Sequence, residues 1–203
     1  MSETHGAVPA VADPAAVRSR EELAALMAAG VHPKWVMFWG HTARRDGGPR
    51  QECLSQWWPG EFTVDGVTYA SAEHWMMAGK ARMFGDEAIE QRVLAARTPA
   101  EAKKLGRLVE GFDDEVWVAG RFELVVTGNV AKFGQDEALR TFLLGTGSRV
   151  LVEASPVDRI WGIGLAADDI RAQRPTEWRG LNLLGFALME ARARLGAPAR
   201  LDA

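Results

Sequence analysis

The pattern of apolar and polar positions along the chain predicts many helices and a few short strands. Residues 34–39 form a short apolar run between turn residues, which is typical of a buried strand. Apolar positions alternate at Phe62 and Val64, Asp65 and Gly66 supply a type I′ turn, and the alternation then resumes, so residues 61–69 are predicted to form a β-hairpin. Caps and helical periodicity predict helices over 19–30, 71–84, 86–97, 98–111, 113–133, 136–144 and 181–195, and a further strand over 149–154.

These elements add up to an α+β fold, a predominantly helical single domain with a small β-sheet and a β-hairpin. Neither an internal repeat nor a linker divides the sequence. Residues 1–33 are expected to form an N-terminal tail, rich in Ala and Pro over 1–17, and a short helix. The domain itself is expected over 34–196, followed by a C-terminal tail over 197–203.

Composition excludes several classes of protein. The chain of 203 residues is 47% hydrophobic and 25% charged, an ordinary globular composition, and its net charge of −3 argues against bulk electrostatic binding to nucleic acid. A single cysteine, Cys53, excludes an internal disulfide and is expected to be buried or incidental. The four histidines are scattered, so we expect no metal site, and we expect no cofactor. No apolar run is long enough for a membrane span and no signal peptide is visible, so a cytoplasmic location is the default expectation.

The first candidate for chemistry is the segment 71–81. Glu73 and Lys80 are seven residues apart, close to two helical turns, so they share a helix face and could both face a pocket. The alternative is an ordinary surface arrangement, in which Glu73 interacts with the helix N-terminus and Lys80 is solvated.

Further candidates lie in three apolar or glycine-rich stretches. Asp158 and Gly162 follow a predicted strand, where they could meet a ligand or merely form a local turn. Asn182 either caps the last helix or offers its amide to a ligand. The pair Phe38 and Trp39 could stack on a base or belong to the core.

Taken together, short motifs in a fixed order are more specific than any one of them. They include FWGH at 38–41, CLSQWWP at 53–59, SAEHWMMAGKA at 71–81, KFGQ at 132–135, EASPVDRIWGIGL at 153–165 and WRGLNLLGFALM at 178–189. This series strongly resembles the NADAR family, the YbiA-like proteins, over roughly residues 36–195. Seven of the eight tryptophans lie within these motifs or in the pair Val116-Trp117, which also belongs to the series.

The resemblance implies an enzyme, an N-glycosidase that hydrolyses the N-ribosyl bond of a phosphorylated or ADP-ribosylated nucleoside. The substrate would be a riboflavin-pathway pyrimidine intermediate or ADP-ribosyl-guanine in DNA or RNA. Its expected partner is thus a small nucleotide or an ADP-ribosyl substrate, with no membrane, and the oligomeric state stays open. Carried over to this chain, the functional acid is Glu73, the lysine is Lys80 and the second acid is Asp158. The residues expected to bind substrate are Phe38, Trp39, Gly40, His74, Arg82, Trp117, Trp161, Gly162 and Asn182.

The chemistry of these residue types leaves two mechanisms open. Breaking a C1′–N bond develops positive charge on the ribose, which a carboxylate can stabilise while it activates water. A neutral Lys80 amine could instead attack C1′ and form a Schiff base, provided that burial or a cation such as Arg82 lowers its pKa. Two rival functions remain: a non-catalytic ADP-ribose or nucleotide-binding module, which would not need Glu73, and a structural or interaction protein.

Overall fold

The computed structural model describes residues 13–42 and 48–197. Most of the two terminal tails and part of the loop predicted over 41–49 lie outside these ranges. The seven described helices are α1 (Arg20–Ala28), α2 (Ala72–Met83), α3 (Glu87–Leu94), α4 (Pro99–Gly106), α5 (Asp114–Gln135), α6 (Glu137–Gly145) and α7 (Leu183–Gly196). Each lies where the sequence predicts a helix, and the arrangement is the helix-rich α+β fold that we expected.

Helix α2 lies at the centre of the structure, against α3, α4 and α5. Nearly all of its residues are buried, including the charged Glu73 and the polar His74. It begins where Ser71, the N-cap residue, accepts a hydrogen bond from the His74 backbone N–H. A buried helix that carries an acid in its first turn places that acid inside the protein.

Helix α5 runs unbroken for 22 residues although it contains Gly120 and Gly128, which weaken a helix in isolation. Packing explains both glycines. A Cβ at position 128 would lie 2.2 Å from the Trp75 ring, and one at position 120 would lie 2.6 Å from the Met83 methyl carbon. The two glycines therefore allow α5 to pack closely against α2. Both helices contribute residues to the cavity described below.

The strands form two separate two-stranded sheets. Strand β1 (Trp35–Phe38) pairs in parallel with β4 (Val150–Glu153), more than a hundred residues later, with Phe38 opposite Glu153. Strands β2 (Phe62–Val64) and β3 (Val67–Tyr69) form the predicted hairpin. Asp65 and Gly66 both have positive φ, as a type I′ turn requires.

The segment before β1 packs against the rest of the domain. Leu23 and Leu26 of α1 belong to the core, and Arg18 forms a 2.7 Å ion pair with Glu190 of α7. Residues 14–16 form a short 3-10 turn rather than a loose tail. Cys53 is fully buried. None of the described helices is long and apolar enough to cross a membrane.

Candidate active site

A cavity of about 270 Å³ opens between α2, α4, α5, the segment 55–57 and the end of β4. Such a volume is just below the usual range for ligand pockets, which begins at about 300 Å³. Its walls combine aromatic and apolar surface with a concentration of charged groups. The polar lining residues are Ser55, Gln56, Glu73, Lys80, Lys103, Arg107, Glu153 and Asp158, and the aromatic ones are Trp57, Trp117 and Trp161.

Glu73 is held in the cavity wall by the start of α2. Its backbone N–H donates to the Gln56 carbonyl at 2.9 Å, which ties the helix to the segment 55–57. The neighbouring His74 ring is fixed at both nitrogens, 2.7 Å from Ser71 Oγ and 3.2 Å from the Ala96 carbonyl oxygen. Because the carbonyl can only accept, Nε2 of His74 carries the proton and donates it there. The helix start is therefore rigid, and Glu73 is only 2% exposed.

Glu153 ends strand β4 and lies in the wall of the same cavity. Its backbone N–H donates to Asn182 Oδ1 at 2.9 Å, while Asn182 Nδ2 donates to the Leu151 carbonyl at 3.0 Å. The side-chain amide of Asn182 thus pairs with backbone groups on the edge of β4 that does not pair with β1. The backbone of Gly162 also packs against this strand, because a Cβ there would lie 2.9 Å from the Glu153 carbonyl oxygen.

Asp158 lies in the loop after β4 and contributes to the cavity wall. Its Oδ1 accepts hydrogen bonds from the backbone N–H groups of Ile160 and Trp161, both at 2.8 Å. This is the local turn that the sequence offered as one alternative. Asp158 thus forms this local turn and also lines the cavity. Its hydrogen bond to the Trp161 N–H helps to shape the loop that places Trp161 in the cavity wall.

Burial and nearby negative charges raise the pKa of Glu73 and Glu153. Burial raises the pKa of Glu73 to about 7, and Lys103 and Arg107 act in the opposite direction. Burial raises the pKa of Glu153 to about 8, and the negative charges of Asp158 and Glu73 add to that rise. Carboxyls with such pKa values can hold or release a proton near neutral pH, as general acid–base groups must.

Lys80 lies on α2 about two helical turns after Glu73, and it lines the same cavity. Its Nζ donates to the Gly106 carbonyl at 2.9 Å and lies 4.1 Å from the centroid of the Phe112 ring. Burial lowers its pKa. Within residues 13–42 and 48–197, Lys80 forms no ion pair with a carboxylate.

Three buried polar atoms in the cavity residues have no hydrogen-bond partner among the described residues: Gln56 Oε1, Glu73 Oε1 and Glu153 Oε2. Only one other such atom, on Arg192, occurs in the described part of the chain. Buried polar groups are normally paired, so their concentration in one cavity points to a polar ligand. Among the described residues, no group of His, Cys, Asp and Glu is arranged to hold a metal ion.

A second cavity, of about 330 Å³, adjoins the first and shares Ser55, Trp57, Lys103, Glu153 and Asp158 with it. We call the first the inner cavity and the second the outer cavity. Trp39 and Gly40 form part of the outer wall, and Trp39 is 59% exposed. The ring of His41 lies 5.4 Å from that of Trp57, so aromatic surface continues from one cavity into the other.

Seven of the twelve residues expected at the site line one of these cavities. Glu73, Lys80, Trp117, Asp158 and Trp161 line the inner cavity, and Trp39 and Gly40 line the outer one.

Five others do not line either cavity, and each has another physical role. Phe38 is buried in the core, and the Arg82 guanidinium is engaged by Glu90 and the Tyr69 hydroxyl. His74, Gly162 and Asn182 support the residues that do line the cavity, through the contacts described above. Asn182 stands at the N-cap position of α7, but its side chain makes no capping hydrogen bond there and lines neither cavity.

Comparison with known proteins establishes the family. The model of the NADAR domain matches residues 37–196. The chain belongs to the NADAR family. An N-glycosidase of Acanthamoeba polyphaga mimivirus is 39% identical over 164 residues, covering 78% of this chain and 95% of the relative. The N-glycosidase YbiA of Escherichia coli is 31% identical over 138 residues, covering 68% of this chain and 76% of the relative.

One further relative and one solved structure extend the NADAR comparison. A riboflavin biosynthesis protein of Vibrio vulnificus is 32% identical over 142 residues, 70% of this chain but 35% of the longer relative. The NMR structure of Escherichia coli YbiA superposes with a TM-score of 0.64 at 25% identity, over 81% of this chain and 86% of that one. These matches confirm the family resemblance, the fold and the enzyme class, a hydrolase that acts on N-glycosyl bonds.

The structure adds cavity residues that the NADAR motifs had not singled out. Glu153, Gln56 and Trp57 stand inside the motifs but are not among the expected site residues. Lys103 lies on α4, and Arg107 is the C-cap residue that follows this helix. The only sequence signal for these two cations is their spacing of four residues, which places them one helical turn apart.

Proposed function

We propose that this NADAR protein hydrolyses the N-ribosyl bond of a phosphorylated or ADP-ribosylated nucleoside in the inner cavity. The observation that carries the proposal is Glu73, a buried carboxyl with an unpartnered oxygen that lines a cavity and lies among other charged groups. The names of the relatives, N-glycosidases and riboflavin biosynthesis proteins, support the bond type and the ribosyl class of substrate.

In this proposal Glu73 is the carboxylate beside C1′. As the C1′–N bond breaks, positive charge develops on the ribose, and a negative group in a site that excludes water stabilises that charge strongly. The raised pKa of Glu73 leaves a substantial fraction ionised at neutral pH. A binding module does not need a buried acid beside C1′, so Glu73 favours the enzyme over the binding alternative.

Lys80 is the nucleophile in the proposed mechanism. Its lowered pKa and its lack of a carboxylate partner among the described residues both favour a reactive neutral amine. The amine attacks C1′ as the bond to the base breaks. It then loses a proton while the ring oxygen gains one, and the sugar opens to an imine. Water hydrolyses the imine, which frees the sugar and restores the amine.

The cations and the outer cavity suit a substrate that extends beyond one nucleoside. Lys103 lies in the walls of both cavities, and Arg107 lines the inner one, so a phosphate can be held near either. Trp39 and Trp57 offer aromatic surface on which a second base can stack. This arrangement supports an ADP-ribosylated substrate at least as well as a small pyrimidine nucleotide.

The direct test of the proposed function is release of free base. The purified protein is incubated with ADP-ribosylated guanosine, with ADP-ribosylated single-stranded DNA and with the phosphorylated pyrimidine intermediates of riboflavin synthesis. We expect cleavage of at least one substrate and a loss of roughly 10²–10⁴-fold in Glu73→Gln. A folded wild-type protein that binds one of them but cleaves none would favour the binding module instead.

The role of Lys80 is tested by trapping. Borohydride added during turnover should reduce the imine and leave a sugar adduct on Lys80 that mass spectrometry locates. The adduct should be absent in Lys80→Ala. If active wild-type enzyme yields no adduct, attack by water activated by Glu73 replaces the amine mechanism.

A further inference from the structure

Glu153 is the feature of the cavity that the mechanism above leaves unused. It comes from β4, on the side of the inner cavity formed by the sheet, whereas Glu73 and Lys80 both come from α2. We propose that Glu153 is the general acid that protonates the departing base. This inference rests on the proposed function, because it assigns a role within that same reaction.

A buried carboxyl oxygen without a hydrogen-bond partner in the described part of the chain separates Glu153 from Asp158, the other carboxyl that the mechanism does not use. Its Oε2 is buried and has no hydrogen-bond partner among the described residues. Oδ1 of Asp158, by contrast, is occupied by two backbone N–H groups of its own loop. Glu153 therefore has a carboxyl oxygen free to contact a substrate atom, and it lies in the walls of both cavities.

The positions of the surrounding charges place the shared proton on Glu153 rather than on Glu73. Two cations, Lys103 and Arg107, favour the ionised form of Glu73. Only Lys103 does so for Glu153, and the negative charge of Asp158 acts on both glutamates. His41 is the other titratable group in the outer wall. When the two glutamates hold one proton between them, Glu153 holds it and Glu73 is the carboxylate.

The backbone at Glu153 is fixed, as an acid that must meet one atom requires. Asn182 accepts the hydrogen bond from the Glu153 N–H, and the Glu153 carbonyl accepts one from the Ile163 N–H at 2.9 Å. Both contacts come from the segments that follow β4. The Glu153 backbone is therefore held through both its N–H and its carbonyl, which fixes the point from which the side chain extends to the cavity wall.

The proposed step balances as follows. The C1′–N bond breaks and its electron pair remains on the base, while the O–H bond of Glu153 breaks and its proton is transferred to that base. Glu153 becomes a carboxylate and regains a proton from solvent after the base has left. The step is the same whether Lys80 or water attacks C1′ from the other side.

The test compares two leaving groups on the same 5-phosphoribosyl group. One is a pyrimidine or purine base, which leaves poorly without a proton, and the other is 4-nitrophenolate, which leaves unprotonated. In Glu153→Gln, kcat for the base should fall by about 10²-fold or more, but kcat for 4-nitrophenolate should fall no more than about fivefold. In Glu73→Gln both reactions should be slow. Glu87→Gln, an exposed change of the same kind on α3, should match the wild type on both.

The pH profile gives a second readout. Activity of the wild type on the base should decline above about pH 8, where Glu153 loses its proton. With 4-nitrophenolate that alkaline decline should disappear. Equal impairment of Glu153→Gln on both leaving groups, or wild-type rates on both, would overturn the assignment. A wild type that cleaves neither riboside and none of the substrates in the base-release test would instead contradict the proposed function itself.

Discussion

Two lysines of this protein are buried to different degrees, and we expect one to be structural and the other to be reactive. Lys132, on α5, is only 2% exposed, and its Nζ donates to the carbonyls of Cys53 at 2.7 Å and Ser55 at 2.8 Å. Lys80, on α2, is partly exposed and donates to one carbonyl, that of Gly106. Burial lowers the pKa of both, that of Lys132 to about 7.

The difference teaches that a perturbed pKa does not by itself mark a reactive group. Lys132 does not line the inner or the outer cavity, so no substrate can reach it from them. Its role is to fix the segment that carries Gln56 and Trp57 into the cavity wall. Lys80 lines the inner cavity and can act on a substrate. Access to the cavity, rather than the size of the pKa shift, separates a nucleophile from a structural lysine.

The largest effect is expected on catalysis in Lys80→Met. Loss of a nucleophile should lower kcat on the order of 10³-fold or more. The Tm should stay within a few degrees of the wild type, because the substitution removes only one hydrogen bond, that to the Gly106 carbonyl. Steady-state kinetics and thermal unfolding measure the two quantities. A variant with near-normal kcat would remove the distinction between the two lysines.

Lys132→Met should show the reverse pattern. Two buried carbonyls, of Cys53 and Ser55, would lose their donor, which should cost roughly 2–4 kcal/mol of unfolding free energy. At this chain length that lowers Tm by about 5–15 °C. Activity of the folded fraction, measured at low temperature, should fall by less than about tenfold. The matched control, Lys104→Met on the exposed side of α4, should change stability by less than about 0.5 kcal/mol.

The pH dependence of stability should separate Lys132 from its control. The folded pKa of about 7 lies below the unfolded value of about 10.4, so the unfolded chain binds more protons between these pH values. This group's contribution to stability therefore rises as pH increases through that window. Denaturant unfolding at pH 7 and pH 9.5 should show the gap between wild type and Lys132→Met widening. A constant gap would mean that the amine is not desolvated as the structure indicates.

The smallest effect is expected at Arg82, a cation on the same helix as Lys80 but outside both cavities. Its guanidinium is occupied by Glu90 and Tyr69. Arg82→Met should therefore leave kcat and KM within about twofold of the wild type, since surface changes away from a site are nearly neutral. A tenfold rise in KM would restore the substrate-binding role that the sequence suggested for it.

Much of the local structure could be predicted because it depends on local chemistry. The caps at Ser71 and Thr98, the hairpin turn at Asp65-Gly66 and the apolar periodicity each specify an element within a few residues. The motif order likewise led to the family, and Glu73, Lys80 and Asp158 do share one cavity. Their catalytic roles remain predictions.

What the sequence by itself determined was therefore the set of helices and strands, the family and one helix face with its acid and lysine. Only the tertiary structure placed Glu153 and Lys103 beside Glu73, because parallel pairing of β1 with β4 and packing of α4 on α2 join residues far apart in the chain. It also turned His74 and Asn182 away from the cavity. A polar residue in an apolar motif can serve a ligand or the backbone, and only its partners in space, the Ala96 carbonyl and the edge of β4, distinguish the two.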